Sequence, residues 1–185
     1  MSTTPFDIGP AAQAMRAIVQ QVGSEQLQDR TPCSEWAVAD LLLHIQQFAS
    51  VFTSNATGSE ARPPAELSPS WRDEIPDQLA RLADAWREPE AWEGQTMAGG
   101  ISMPASDNAL VAVEELTVHA WDLAMSTGQT FRPDEREVEL VERFLTTFAG
   151  SGADGEGPFG PVAPAPPDAD RWEAALASTG RRSRS

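Results

Sequence analysis

Two histidines serve the whole of a 185-residue chain, His44 in "ADLLLHIQQF" and His119 in "VEELTVHAWDLAMSTG". Glu115 precedes His119 by four residues, so on a helix the carboxylate and the imidazole stack on one face. His44 stands three residues after Leu41 and four before Phe48, and so shares their apolar stripe. An imidazole in a core needs a hydrogen-bond partner, and a carboxylate there is costly unless it is paired or binds a metal. Two helices carrying His44 and the Glu115–His119 pair can meet both needs by holding one divalent cation, with a coordination position left for water or substrate. Two plainer readings use the same residues. Each imidazole can be satisfied by backbone or side-chain partners, and a Glu–His pair at this spacing is also common on helix surfaces.

The other chemistry open to this chain is narrow. It contains neither lysine nor tyrosine, which removes P-loop lysines, Schiff bases and phenol-based catalysis. No Gly-x-Ser-x-Gly or Cys-x-x-Cys pattern occurs. Thirteen basic residues face 28 acidic ones, for a net charge of −15. A nucleic-acid binder presents a basic stripe that releases counterions, so no nucleic-acid partner is expected. No run approaches the ~18 apolar residues of a membrane span, and "MSTTPFDIGP" lacks the charged start and apolar centre of a secretory signal. The single cysteine, Cys33, precludes an internal disulfide and fits a reducing cytoplasm.

Helical periodicity must position these groups. Met15, Ile18, Val19 and Val22 form one stripe, with Gly23 as the expected stop. A second helix is expected from Val38 to about Asn55 on Leu41, Ile45, Phe48 and Phe52, with Asp40 in its first turn and Trp36 and Leu41 as a hydrophobic staple. A third covers Trp71 to Arg87 through Ile75, Leu79, Leu82 and Trp86, and Pro76 must either start or kink it. After an irregular or briefly extended crossover, a fourth begins between Pro104 and Ser106 and ends at Gly128. A fifth opens with Pro133 at its first position and closes at Gly150; a last short helix spans Arg171 to Ala177. The expected fold is therefore all-α: a four-helix bundle over residues 1–150, and a loop-rich extension over 151–185 with a short helix, in the same domain.

"TPCSEWAVADLLLHI" together with "VEELTVHAWDLAMSTGQ" resembles the mycothiol-dependent maleylpyruvate isomerase N-terminal family, a branch of the DinB-like four-helix bundles. The first hallmark is Thr-Pro-Cys-x-x-Trp leading into a Leu-rich helix that ends in His. The second is Glu-x-x-x-His-x-Trp-Asp-Leu-Ala closed by Thr-Gly, and "FGPVAPAPPDADRWEAALASTGRR" is similar to the family's usual ending. The resemblance implies a divalent metal, usually zinc, held by His44, Glu115 and His119. It also implies that the open position takes a low-molecular-weight thiol such as mycothiol as its thiolate, which attacks a small electrophile. The isomerase has a second, C-terminal domain that helps to bind its substrate, and this chain ends before any such domain; a bundle by itself does not fix the reaction.

The expected function is thus a metal- and thiol-dependent transferase or isomerase acting on a small molecule. The alternatives are a non-catalytic, metal-stabilised binding or dimerisation bundle, and a hydrolase-type enzyme using metal-bound water. The apolar bundle faces are compatible with a homodimer. Cys33 reads either as a reactive thiol before a helix N-terminus or as a small packing residue, and Asp122 as an orienting partner for a metal-bound histidine or as a partner of arginine. Trp36, Phe52, Trp71, Trp86 and Trp121 read as core packing. Arg81 and Arg87 could meet an anionic ligand, but nothing singles them out.

Overall fold

The structure is a computed structural model that describes residues 5–33, 35–98, 100–148, 159 and 161–182. The expected helix end at Gly150, most of the glycine-rich stretch after it and the last three residues lie outside these. By its contacts the chain divides into Met1–Phe131 and Arg132–Ser185.

In the first unit, α1 (Gly9–Gln20) opens where Asp7 Oδ1 accepts the Gly9 N–H at 2.8 Å. It buries Met15, Ile18 and Val19 as the periodicity predicts. It stops three residues before Gly23, which is extended at φ −76° and is no left-handed cap. A 3-10 turn at Ser24–Gln26 leads to α2 (Val38–Thr57), two residues longer than expected because Gly58 supplies the left-handed end at φ 67°. Asp40 Oδ2 accepts the Ala37 N–H at 2.9 Å, so the acid in the first turn ties down the chain entering α2.

The third helix, α3 (Trp71–Ala85), starts five residues before Pro76 and contains it. The missing N–H leaves the Arg72 carbonyl without its intrahelical bond, and burial of Ile75, Leu79, Leu82 and Trp86 offsets that loss. The crossover resolves into a 3-10 turn at Pro89–Trp92 and an antiparallel hairpin, β1 (Gln95–Ala98) with β2 (Ile101–Pro104), in register Thr96 to Met103. It is the only sheet among the described residues. Asn55 of α2 donates to the Met97 carbonyl at 2.8 Å and to Asn108 Oδ1 at 3.1 Å, which pins the hairpin to the helices beside it.

The fourth helix, α4 (Ala105–Thr127), ends at Gly128 in the left-handed region at φ 72°. It is buried on nearly every side, through Leu110, Val113, Leu116, Ala120 and Leu123. Helices α1 and α2 each pack against both α3 and α4. That arrangement places His44 of α2 along the same seam as Glu115 and His119 of α4.

In the second unit, α5 (Glu135–Phe148) and α6 (Arg171–Ser178) pack together. Both open with a reciprocal cap: Asp134 with Glu137, each bond 2.8 Å, and Asp170 with Glu173, each 3.0 Å. Asp134 is thus the cap of α5, and Pro133 lies just outside the helix rather than at its first position. Among the described residues no helix is long and apolar enough to cross a membrane.

Leu79 is fully enclosed between helices, so Leu79→Ala should cost about 2–5 kcal/mol in urea-unfolding experiments. Gly128→Ala, which must hold a Cβ in the left-handed region, should cost about 1–2 kcal/mol by the same measurement.

Candidate metal centre

Three side chains from two helices meet on one oxygen. Glu115 Oε2 lies 3.0 Å from His44 Nε2 and 3.1 Å from His119 Nε2. The two imidazole rings stand edge to face, 4.9 Å between centroids. On the far side of its ring, His119 Nδ1 is 2.9 Å from Asp122 Oδ2, one helical turn further along α4. Exposure divides the cluster. The side chains of His44 and Glu115 are 26% and 25% exposed, His119 is 11% and Asp122 is fully buried. The cluster therefore has an open flank towards α2 and a closed one within α4.

Its electrostatics follow from those distances. A carboxylate only accepts, so both Nε2 atoms facing Glu115 and the Nδ1 atom facing Asp122 carry protons in this arrangement. Burial alone would push the Glu115 carboxyl up, but the bonds from His119 and His44 outweigh it and hold the group well below its ordinary value. Burial would likewise lower the His119 imidazole; its bonds to Asp122, Cys33 and Glu115 instead raise it well above the ordinary 6.5.

The loop before α2 completes the site. Arg30 bridges to Ala37, and Thr31 N–H donates to the Trp36 carbonyl at 3.2 Å, so residues 30–33 and 35–37 are drawn together as a turn. Glu35 within it holds φ 74°, a conformation that costs a side-chain-bearing residue about 1–2 kcal/mol. The turn sets the Trp36 ring 4.9 Å from that of His44 and 6.1 Å from that of His119. It also brings Cys33 Sγ to 3.1 Å from Asp122 Oδ2 and 3.8 Å from His119 Nδ1.

The structure thus brings together all three residues singled out as ligands, His44, Glu115 and His119. Of the two readings of Asp122, the orienting one matches its bond to His119. Trp36, read as core, is half-buried and forms a wall of the site. Trp121 is core as expected, 6% exposed. Arg87 pairs with Asp84 at 2.6 Å and lies outside the cluster. The contact of Cys33 with Asp122 had one sequence signal, the fixed spacing of Thr31, Cys33 and Trp36 directly before α2. That spacing says nothing of which helix the loop will touch.

The donor set suits a divalent cation. His44, Glu115 and His119 each offer one ligand atom, all within 4.8 Å of one another. Two imidazole nitrogens and a carboxylate oxygen are ligands for zinc and its neighbours. A cation there can replace the protons that now lie between nitrogen and oxygen, and Asp122 already holds the remaining His119 nitrogen as metal-bound histidines require.

A helical bundle with a histidine–carboxylate cluster between two of its helices is the class that fold and site define. Residues 8–124 match the family described as the mycothiol maleylpyruvate isomerase N-terminal domain. Two uncharacterized proteins from two strains of Mycobacterium tuberculosis are each 33% identical over 187 aligned positions, which cover 92% of this chain and 95% of theirs. The chain belongs to the mycothiol maleylpyruvate isomerase N-terminal domain family, and its structure is mostly helical, as expected. A crystal structure of a mycothiol-dependent maleylpyruvate isomerase is similar with a TM-score of 0.49 and 22% identity, covering 72% of this chain and 65% of that one. A histidine-to-alanine variant of such an isomerase gives 0.48 and 20%, covering 78% and 71%. This chain spans just under two thirds of the first of these structures.

Folding raises the His119 pKa, so the folded, metal-free chain binds that proton more tightly than the unfolded chain does. The resulting stabilisation is complete below the unfolded value of 6.5 and is lost as pH rises through the raised value. Thermal melts of metal-free protein should therefore show Tm declining on the alkaline side, and His119→Gln should remove that slope.

Proposed function

We propose that this protein binds a divalent metal ion, zinc by preference, through His44, Glu115 and His119, and uses it with a low-molecular-weight thiol of the mycothiol type. The reaction class is transfer or isomerisation on a small electrophile. The observation that carries the reading is the convergence of His44 Nε2, Glu115 Oε2 and His119 Nε2 across the α2–α4 seam. Family membership supports the thiol, since the family is described as the N-terminal domain of mycothiol maleylpyruvate isomerase.

A bound cation would lower the pKa of a thiol at its open position, making the sulfur a nucleophile at neutral pH. The chain's own residues do the rest. Glu115 supplies the negative charge that offsets part of the cation's. Asp122 accepts the Nδ1 proton of His119 at 2.9 Å, fixing the tautomer that leaves Nε2 as the ligand atom. The Trp36 ring covers the imidazoles on one side, limiting water there and strengthening charge interactions within. The partly exposed edges of His44 and Glu115 leave one flank for thiol and substrate.

Protein purified without a histidine tag should contain stoichiometric zinc by elemental analysis, and the His44→Ala, His119→Ala double variant should contain almost none; equal, negligible metal in both would sink the proposal. With cobalt in place of the native ion, adding a low-molecular-weight thiol should produce a sulfur-to-cobalt charge-transfer band. A metal-loaded protein whose spectrum ignores every thiol would refute the thiol half and leave a metal-stabilised bundle.

A further inference from the structure

We propose that Cys33 is a positioning residue of this centre: its thiol donates to Asp122 Oδ2 and so holds that carboxylate against His119 Nδ1. The inference rests on the metal reading above and goes beyond it, because no ligand role is assigned to the cysteine.

Three distances carry it. Asp122 Oδ2 lies 2.9 Å from His119 Nδ1 and 3.1 Å from Cys33 Sγ, whereas Cys33 Sγ is 3.8 Å from His119 Nδ1. The single Nδ1 proton points along the shorter contact to Asp122, and the thiol is the longer and weaker neighbour of that nitrogen. The Asp122 carboxylate is fully buried and accepts only, so the thiol proton also points at Oδ2. One carboxylate oxygen thus receives two donors, from an imidazole and a thiol. Each donor to a buried carboxylate narrows the orientations open to it.

The cysteine is itself held in place. The Thr31 hydroxyl lies 3.0 Å from the Cys33 carbonyl and 2.9 Å from that of Trp36, and the Trp36 N–H donates to the Cys33 carbonyl at 3.1 Å. The same short turn therefore fixes an indole beside the imidazoles and a thiol behind one of them.

Position also separates this role from direct ligation. Glu115 meets His119 at Nε2, while Cys33 lies at Nδ1, across the ring from the three converging donors. A sulfur there does not reach an ion held at Nε2 without leaving Asp122.

The test compares wild type, Cys33→Ala and Cys33→Ser, each stripped of metal and titrated with zinc against a chromogenic chelator. Partners one step removed from a metal alter affinity by ~10–100-fold, and a thiol one step further should give about 10-fold loss in Cys33→Ala. Cys33→Ser, which keeps a donor at nearly the same place, should recover most of it. The spectroscopic signature is the downfield, slowly exchanging Nδ1–H proton of His119 in NMR. It should be sharp in wild type and Cys33→Ser, and broadened or shifted in Cys33→Ala, with metal and without. Affinity and resonance both unchanged in Cys33→Ala would overturn the proposal, as would a serine variant no better than alanine. A thiol-free cobalt form whose sulfur-to-cobalt band disappears in Cys33→Ala would overturn it too, by making the cysteine a ligand. Wild type that takes up no metal defeats the proposed function and this inference with it; wild type that binds metal no better than Cys33→Ala defeats this inference alone.

Discussion

One carboxylate oxygen shared by two imidazoles sets the terms for the rest of the first unit. Glu115 Oε2 lies within 3.1 Å of both rings, and the helix that carries it is buried on nearly every side. An ionised group in such a place is tolerated only when its partners are fixed to a fraction of an ångström. The fixing comes from α2, whose fully buried Leu41 and Ile45 lock the helix against its neighbours and so set the height of His44. It comes also from α3, which packs against α2. The hairpin tied to Asn55 and Asn108 closes the same seam two turns of α4 before Glu115. Apolar packing supplies the energy of the fold and holds α2 and α4 in the register at which the polar cluster is satisfied.

A polar chain runs through that cluster. From His44 it passes through Glu115 and His119 to Asp122 and reaches Cys33, every link between 2.9 and 3.1 Å. Each member has a neighbour of complementary hydrogen-bonding type, so the chain satisfies the burial requirement that makes half-completed networks unstable. Its members come from a loop and two helices. The network therefore joins three parts of the chain that apolar contact alone would hold less specifically.

The sequence made α2 and α4 legible because apolar spacing, a first-turn acid and a glycine end all agree there. His44, Glu115 and His119 could be read as a set for the same reason, since helical phase alone puts them on core-facing stripes. The loop at residues 30–37 was opaque. Its contacts to α4 span 86 and 89 positions, and no periodic pattern encodes where a short turn will land. Trp36 was misread for a related cause: an aromatic beside a helix start looks like core until the site it borders is known. Of the two roles open to Pro76 the structure excludes the start of α3, because three buried aliphatic residues and a tryptophan outweigh one missing hydrogen bond and carry the helix through it. The end of α1 fell short of Gly23 because a glycine marks a stop only where the chain uses its left-handed freedom.

The uneven exposure of the cluster has a consequence for access. His119 and Asp122 are sealed within α4, the indole of Trp36 stands against both imidazoles, and only the edges of His44 and Glu115 meet solvent. Whatever approaches from solvent meets the edges of His44 and Glu115 first, while the bond between His119 and Asp122 stays behind them and out of reach.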